Sequence, residues 1–140
     1  MTIATTLAQR ITAAFDAGDV DAFAACFAPD ATQTHPFFPS PLRGRDAIRA
    51  AEATLFAAFD DIHLDCTNVV DGGDQVALEF TVTATNTKPL PMPDGTTIPA
   101  TGKTVQLAMG AFLHLDPTGQ ITDSHRYQDN LAFLSQLGLA

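Results

Sequence analysis

The spacing of apolar residues changes once along the chain, and this change constrains the fold more than any other feature. Up to about residue 59 the apolar side chains recur every three or four positions, which is typical of amphipathic helices. From Ile62 to Gln128 they alternate with polar neighbours, which indicates strands with one buried face. Helices followed by a run of strands predict an α+β domain, in which three N-terminal helices pack on one face of a curved, mostly antiparallel sheet.

Three helices are predicted in the first part of the chain. The first is expected to end at Gly18, because glycine readily adopts the left-handed conformation that ends helices. The second is short and is expected to bury Phe27 before Pro29 stops it. The third begins after Gly44-Arg45-Asp46 and is expected to carry Ile48, Phe56 and Phe59 on its apolar face.

Four strands are predicted after the helices. The DGGD turn at residues 71–74 joins the first two into a hairpin, and a proline-rich loop around residues 89–93 precedes the third. The DPTG turn at residues 116–119 leads into the fourth strand, from Ile121 to about Gln128, and a short amphipathic segment follows it. Helices over such a sheet enclose a cone-shaped cavity, which is the default site for a small ligand.

Length, composition and charge exclude several classes of function. The chain has 140 residues, which fit one domain, and its 46% hydrophobic residues provide a sizeable core. A net charge of -9 disfavours nucleic acid and anionic membranes as partners. The start of the chain lacks the apolar region of a signal peptide, and no run approaches the roughly 18 apolar residues of a membrane helix. We therefore expect a cytoplasmic protein with two free cysteines.

Motifs for metals and cofactors are missing from the sequence. The four histidines are not at ligand spacing, and no glycine-rich phosphate loop or Gly-x-Ser-x-Gly elbow is present. We therefore expect neither a metal site nor a cofactor.

Six segments are distinctive: FAPDA at 27–31 followed by His35 and Pro36, GRDAI at 44–48, TATNT at 83–87, IPATGK at 98–103, GQI at 119–121 and YQDNLAFLSQLGL at 127–139. They resemble segments of the SnoaL-like polyketide cyclases of the nuclear transport factor 2-like superfamily, and the resemblance covers nearly the whole chain. The resemblance implies one domain of the cystatin-like α+β type over residues 1–140, with a deep apolar pocket.

The resemblance also implies a homodimer, in which an open sheet face with Val105, Leu107 and Met109 packs on its twin. Two positions depart from the family pattern. Asn86 stands where many SnoaL-like chains carry His, and Arg126 stands near the position where cyclases and epoxide hydrolases often place an acid.

The last predicted strand holds the main catalytic candidates, because it is polar on both faces. Alternation divides its side chains into one set with His125, Tyr127 and Asp129 and another with Ser124, Arg126 and Gln128. Asp129 is the candidate general base, and Tyr127, His125 or Arg126 would donate a hydrogen bond to an enolate oxygen. The alternatives are an N-cap role for Asp129 and a solvated edge strand.

His35 is a second candidate acid or base, because the resemblance puts its proline-rich segment at the pocket entrance. The alternative is a loop histidine that caps backbone groups. The expected substrate-binding residues are Phe37, Phe38, Phe56, Thr83, Asn86, Gln106 and Phe112. Arg43, Arg45 and Arg49 cluster at the start of the third helix, and with Asp46 and Glu52 beside them they are interpreted as a solvated, salt-bridged helix face. The alternative is a binding site for an anionic tail such as a carboxylate or a phosphate.

These residues favour a cofactor-free enzyme that binds a small apolar carbonyl compound and moves protons, as in aldol cyclisation or isomerisation. A limonene-type epoxide hydrolase is a second hypothesis, and a small-molecule binding protein without catalysis is a third.

Overall fold

The structure, a computed structural model, describes residues 2–140. The helices are α1 (Ile3–Ala17), α2 (Val20–Ala24), α3 (Arg45–Ala58) and α4 (Asn130–Gln136). The strands are β1 (Phe27–Thr34), β2 (Leu42–Arg43), β3 (Phe59–Asp71), β4 (Gln75–Asn86), β5 (Leu90–Pro91), β6 (Thr97–Ile98), β7 (Thr104–Leu115) and β8 (Ile121–Gln128).

Six strands form one sheet in the order β2-β1-β8-β7-β4-β3, and β5 pairs with β6 separately. Neighbouring strands of the large sheet are antiparallel, except that β1 runs parallel to β8. The helices cover one face of this curved sheet. The predicted α+β architecture, the β3–β4 hairpin and the β7–β8 hairpin are therefore confirmed.

The predicted end of the second helix is wrong. Helix α2 ends at Ala24, and Phe27 begins strand β1, which the spacing of apolar residues had not predicted. Pro29 lies inside this strand, where the register between β1 and β8 shifts between Phe27 and Thr32. A bulge of this kind tolerates proline, because no ladder hydrogen bond is required of its nitrogen.

Phe59 is also displaced from its predicted element. Helix α3 ends at Ala58, and Phe59 has an extended backbone as the first residue of β3. Its side chain is still buried, in a cluster with Phe133 and Leu137 of the C-terminal segment. The apolar spacing of the helix continues across its end because both elements face the same core.

Two apolar clusters fill the space between the helices and the sheet. The larger contains the buried faces of α1 and α2, with Leu7, Phe15 and Phe23, packed on the inner side of the sheet. The smaller lies under α4 and the β5–β6 loop. Gly18 ends α1 with a φ of 62°, as its sequence position predicts.

The expected dimer face is placed wrongly. Val105, Leu107 and Met109 point into the core and are buried, so they cannot form an open sheet face. The outer face of the sheet instead exposes Phe112 and Tyr127, which are 52% and 56% accessible. Association into a homodimer stays a prediction. Across residues 2–140, no helix has both the length and the apolar character that crossing a bilayer requires.

Candidate active site

An apolar chamber lies between α3, α4 and the inner face of β3, β4 and β7. Its cavity volume is about 60 Å³. This is below the range of about 300–1,000 Å³ that is usual for small-molecule sites, so a ligand of that size requires side chains of the wall to move. Its lining comprises Phe15, Phe37, Leu55, Phe56, Phe59, Ile62, Val82, Ala84, Val105, Leu107, Met109 and Phe133, together with the polar residues Glu52, Arg126 and Gln128.

A buried ion pair forms the polar end of this chamber. Arg126 Nη1 of β8 donates to both carboxylate oxygens of Glu52 of α3, at 3.0 and 3.2 Å. Glu52 is only 2% accessible, and the Arg126 side chain is largely buried. Removing a charged pair from water is costly unless each charge is compensated. Glu52 and Arg126 therefore compensate each other's charge inside the apolar chamber.

Not every N–H group of the Arg126 guanidinium has a good hydrogen-bond acceptor. Its Nε is buried and has no hydrogen-bond partner. Its Nη2 donates only to the thioether sulfur of Met109, at 3.4 Å, and such a sulfur is a weak acceptor. Nε and Nη2 share one edge of the planar guanidinium, the edge with which arginine binds paired oxygens. The Nε–H of Arg126 is therefore an unpaired, buried donor at the polar end of the chamber.

His35 lies behind the ion pair, in the loop between β1 and β2. Its Nδ1 accepts a hydrogen bond from the backbone N–H of Phe37, at 3.1 Å. In the neutral ring the proton is then on Nε2, which lies 3.9 Å from Glu52 Oε2 and has no hydrogen-bond partner. Burial and the positive charge of Arg126 lower the pKa of His35 from 6.5 to about 2. His35 is thus a neutral imidazole that faces the carboxylate.

Hydrogen bonds fix the His35 loop to the C-terminal elements. Gln128 Nε2 donates to Asn130 Oδ1 at 3.1 Å, and Asn130 Nδ2 donates to the backbone oxygen of Pro36 at 2.9 Å. The rings of Phe37 and Phe38 both contact His35, with centroids 5.5 and 5.2 Å away. The ring of Phe37 also lies in the chamber wall. The loop and the start of α4 therefore hold the polar end of the chamber together.

Alternation along β8 is confirmed, and the structure shows which face is inward. Ser124, Arg126 and Gln128 point toward the core. The set with the predicted base points away from it. Asp129 lies outside the chamber and caps α4, where its carboxylate accepts from the backbone N–H of Ala132 at 3.0 Å.

The other two candidates of that set lie on the outer face of the sheet. His125 Nε2 lies 2.9 Å from Asp123 Oδ2, and Asp123 Oδ1 accepts from the hydroxyl of Thr32 at 2.6 Å. Tyr127 packs edge-on against Phe112, with ring centroids 6.1 Å apart. The sheet therefore separates His125 and Tyr127 from the chamber.

Some of the expected substrate-binding residues line the chamber, and others do not. Phe37 and Phe56 line the chamber, and Phe38 packs on His35 without lining it. Thr83 and Gln106 are paired on β4 and β7 and lie outside the lining.

Two further residues that were expected to bind substrate, Asn86 and Phe112, do not line the chamber. Asn86 is fully buried, and its amide donates to the backbone oxygens of Ala58 and Lys88 while its oxygen accepts from Thr101. All its polar capacity is used by the fold. Phe112 is exposed on the outer face.

Glu52 was assigned to a solvated helix face, and this assignment is wrong. Arg49 does behave as expected of an outer face, since it pairs with Asp21 at 2.6 Å. Arg45 does not, because its guanidinium is half-buried and donates to the backbone oxygen of Phe27 at 2.9 and 2.7 Å.

Glu52, however, falls four residues after Ile48 and four before Phe56, on the apolar stripe of α3. A carboxylate at that spacing is the sequence signal for this site.

Among residues 2–140, no three His, Cys, Asp or Glu side chains converge in a way that could hold a metal ion. The polar end of the chamber offers one carboxylate, one guanidinium and one neutral imidazole. Together these groups can accept a proton and stabilise an oxyanion beside it.

Comparison with known proteins places this geometry in a family. The family described as SnoaL-like domain matches residues 8–124, well over half of the chain. The protein belongs to the SnoaL-like family. None of the curated proteins compared with this SnoaL-like chain matches it.

Solved structures share the SnoaL-like fold over nearly the whole chain. A proposed polyketide cyclase from Xanthomonas campestris pv. campestris is 27% identical, with 96% of each chain covered and a TM-score of 0.76. Another from Pseudomonas putida KT2440 is 25% identical, with 97% of this chain and 98% of that chain covered and a TM-score of 0.75. A hypothetical protein with a ketosteroid isomerase-like fold from Catenulispora acidiphila is 21% identical, with 96% and 93% covered and a TM-score of 0.77.

Proposed function

We propose that this SnoaL-like protein is an enzyme that binds an apolar carbonyl compound and transfers a proton from carbon, for aldol cyclisation or isomerisation. The observation that carries the proposal is the buried Glu52–Arg126 pair at the end of an apolar chamber, with the Nε–H of Arg126 unpaired. The family and the two solved neighbours named as proposed polyketide cyclases support chemistry of this class.

The ion pair provides a base and an oxyanion donor side by side. The Glu52 carboxylate takes a proton from the carbon next to a carbonyl, and the C–H electron pair moves onto the carbonyl oxygen. Arg126 Nε–H donates to that oxygen as its negative charge develops. In cyclisation the enolate carbon then attacks a second carbonyl of the same molecule, and the oxygen of that carbonyl takes the proton from Glu52 and becomes a hydroxyl group. In isomerisation of an enone Glu52 returns the proton to another carbon of the conjugated dienolate.

The charge of the site stays constant during this transfer. Before the reaction Arg126 is paired with ionised Glu52, and after it Arg126 is paired with the enolate while Glu52 is neutral. A buried arginine therefore has one anionic partner at each stage, which avoids the cost of an unpaired charge in an apolar chamber. A neutral carbonyl compound suits such a site better than a ligand that already carries a carboxylate.

His35 is proposed as a positioning residue. Its Nε2–H faces Glu52 Oε2 at 3.9 Å, and the low pKa of its imidazole keeps it from becoming a second cation beside Arg126. A neutral donor at this place orients the carboxylate without neutralising its charge.

The test is deuterium exchange at activated C–H positions of small 1,3-dicarbonyl compounds and enones in D₂O, followed by NMR. Wild type is expected to accelerate exchange, and Glu52→Gln is expected to lose at least a hundredfold of that rate, because general-base catalysis contributes about 10²–10⁴-fold. The matched control is Glu79→Gln at the only other glutamate, which is exposed on β4 and bonds to Asn68.

Retention of exchange in Glu52→Gln, or an equal loss in Glu79→Gln, would contradict the proposal. Because Glu52→Gln leaves Arg126 without its counter-ion, folding of each variant is checked by thermal unfolding.

The two other hypotheses are less well supported by the geometry. An epoxide hydrolase needs a carboxylate to activate water and a second acid to protonate the ring oxygen, and Glu52 is the one carboxylate among the described lining residues. A purely apolar lining would favour a binding protein without catalysis, and this lining includes an ion pair. Binding without exchange in the same experiment would favour the binding protein.

A further inference from the structure

Helix α4 is the shortest element in the wall of the chamber. Strands β4 and β7 of the opposite wall are paired on both sides within the sheet, and α3 is anchored by the buried ion pair of Glu52. Helix α4 has only seven residues, and an isolated helix of that length is not stable in water. Its place over the chamber therefore depends on its contacts with the rest of the fold.

The apolar contact of α4 closes the chamber at Phe133. This side chain is buried and forms part of the chamber wall. Its ring contacts the rings of Phe37 and Phe59, with centroids 5.2 and 5.9 Å away. With the three rings in contact the cavity volume is only about 60 Å³, and an outward movement of α4 takes one of them away.

A pair of hydrogen bonds from Gln136 takes the place of a strand beside β7. Strand β8 ends at Gln128, which is paired with Met109, so β8 does not reach Gln106. The side-chain oxygen of Gln136 accepts from the backbone N–H of Gln106 at 2.6 Å, and its Nε2 donates to the backbone oxygen of Gln106 at 2.9 Å. We call these two bonds the latch. Both are exposed, so water can replace each of them when they break.

We propose that α4 is a lid over the chamber and that the latch holds it closed. Opening breaks two solvent-exposed hydrogen bonds and lifts Phe133 out of the wall, while the sheet and the Glu52–Arg126 pair stay intact. A ligand of ordinary size then enters a chamber that is too small for it in the closed protein. The inference concerns access to the chamber and does not depend on the chemistry of the proposed function.

Hydrogen exchange of wild type without ligand is the first test. Successive backbone N–H groups of a strand point to opposite sides, so the Gln106 N–H faces α4 and the Leu107 N–H faces β4, where Leu107 pairs with Val82. Opening of the lid is expected to lower the protection of the Gln106 N–H at least about tenfold below that of Leu107. Equal protection of these two neighbours would overturn the inference, because the latch would then open only with the sheet.

A cysteine in the chamber wall measures access directly. Ala84→Cys places a small thiol on the inner face of β4, in a protein that also carries Cys66→Ser, and iodoacetamide labels this thiol when the chamber opens. Removal of the latch by Gln136→Ala is expected to raise the labelling rate at least about fivefold, because two hydrogen bonds are lost. Alanine is the better helix former, so a loss of helix propensity cannot cause this effect. Val82→Cys, also in the wall, takes the place of Ala84→Cys if that variant does not fold.

Two controls are matched to the labelling experiment. Ser135→Ala changes an exposed neighbour of Gln136 on the same helix and is expected not to raise the rate. The natural thiol of Cys26 is buried in the larger apolar cluster, which does not include α4, and its labelling should not respond to Gln136→Ala. An equal rate at Ala84→Cys with and without the latch would overturn the inference. An equal acceleration at Cys26 would also overturn it, because the whole fold would then have loosened.

Discussion

The neutral state of His35 is set by its surroundings, and it has a consequence for stability. Burial and the charge of Arg126 lower the pKa of His35 to about 2, whereas a histidine in an unfolded chain titrates near 6.5. Between these two pH values the unfolded state binds a proton that the folded state does not. The neutral, buried His35 therefore does not lower the free energy of unfolding above about pH 6.5. As the pH falls from 6.5 toward 2, proton binding by the unfolded state lowers that free energy progressively.

Replacement of His35 by Gln is therefore expected to reduce the dependence of stability on pH. Below pH 6.5 the free energy of unfolding of wild type should fall more steeply than that of the variant, by up to about 1.4 kcal/mol for each pH unit. Urea unfolding at pH 7, 6 and 5 measures this difference. His114→Gln, at an exposed histidine, should keep the slope of wild type. Parallel slopes for wild type and His35→Gln would contradict the account.

At the residue scale, the sequence could predict which side chains of β8 share a face but not which face is inward. Alternation separates Arg126 from His125 and Asp129, and both sets are polar. Which face of β8 points inward is set by its place between β1 and β7 in the sheet. Strand β1 is far from β8 in the chain, so local spacing does not reveal this pairing. Glu52 was missed for a local reason, because nearby arginines made its helix face look solvated.

At the scale of the secondary-structure element, Asp129 serves as the N-cap of α4. Its carboxylate accepts from the Ala132 N–H, and α4 then places Phe133 in the wall of the chamber. Asp19 caps α2 in the same way, by accepting from Ala22 at 3.0 Å. The two aspartates are thus a matched pair of N-caps, of which one directly follows β8, the strand that carries Arg126.

Asp129→Ala is expected to lower the free energy of unfolding by about 1 kcal/mol, since it removes a cap, and Asp129→Asn should be nearly neutral because Asn is also a good N-cap. Chemical unfolding measures both. Asp129→Asn should retain the deuterium exchange of wild type, as should Asp19→Asn. Loss of exchange in Asp129→Asn alone would return the base to Asp129 and contradict the assignment to Glu52.

Most elements could be predicted from the periods of three to four and of two, and β1 shows why some could not. Its inward residues do not alternate regularly, because the bulge around Pro29 interrupts the pattern. Its conformation is fixed by parallel pairing with β8, more than ninety residues later, as in the pair of Thr32 with Asp123. Local spacing carries no information about a pairing of that kind.

At the scale of the whole molecule, the site exists only where distant segments meet. Glu52 comes from α3, Arg126 from β8 and His35 from the loop after β1, and each is buried by the others. The apolar walls come from both clusters of the core. The fold therefore brings these three polar groups together at one end of the chamber, although no contiguous sequence motif marks that place.

The most direct test is the ¹H–¹⁵N NMR signal of the Arg126 Nε–H during titration with benzoylacetone, with Arg126→Lys used to assign the signal. Because this N–H has no partner in the free protein, the account predicts that its proton resonance moves downfield and saturates with the binding isotherm. The Nε–H of the exposed Arg49, which is already bonded to Asp21, should not move. A ligand that saturates the protein while the Arg126 signal stays in place would contradict the account.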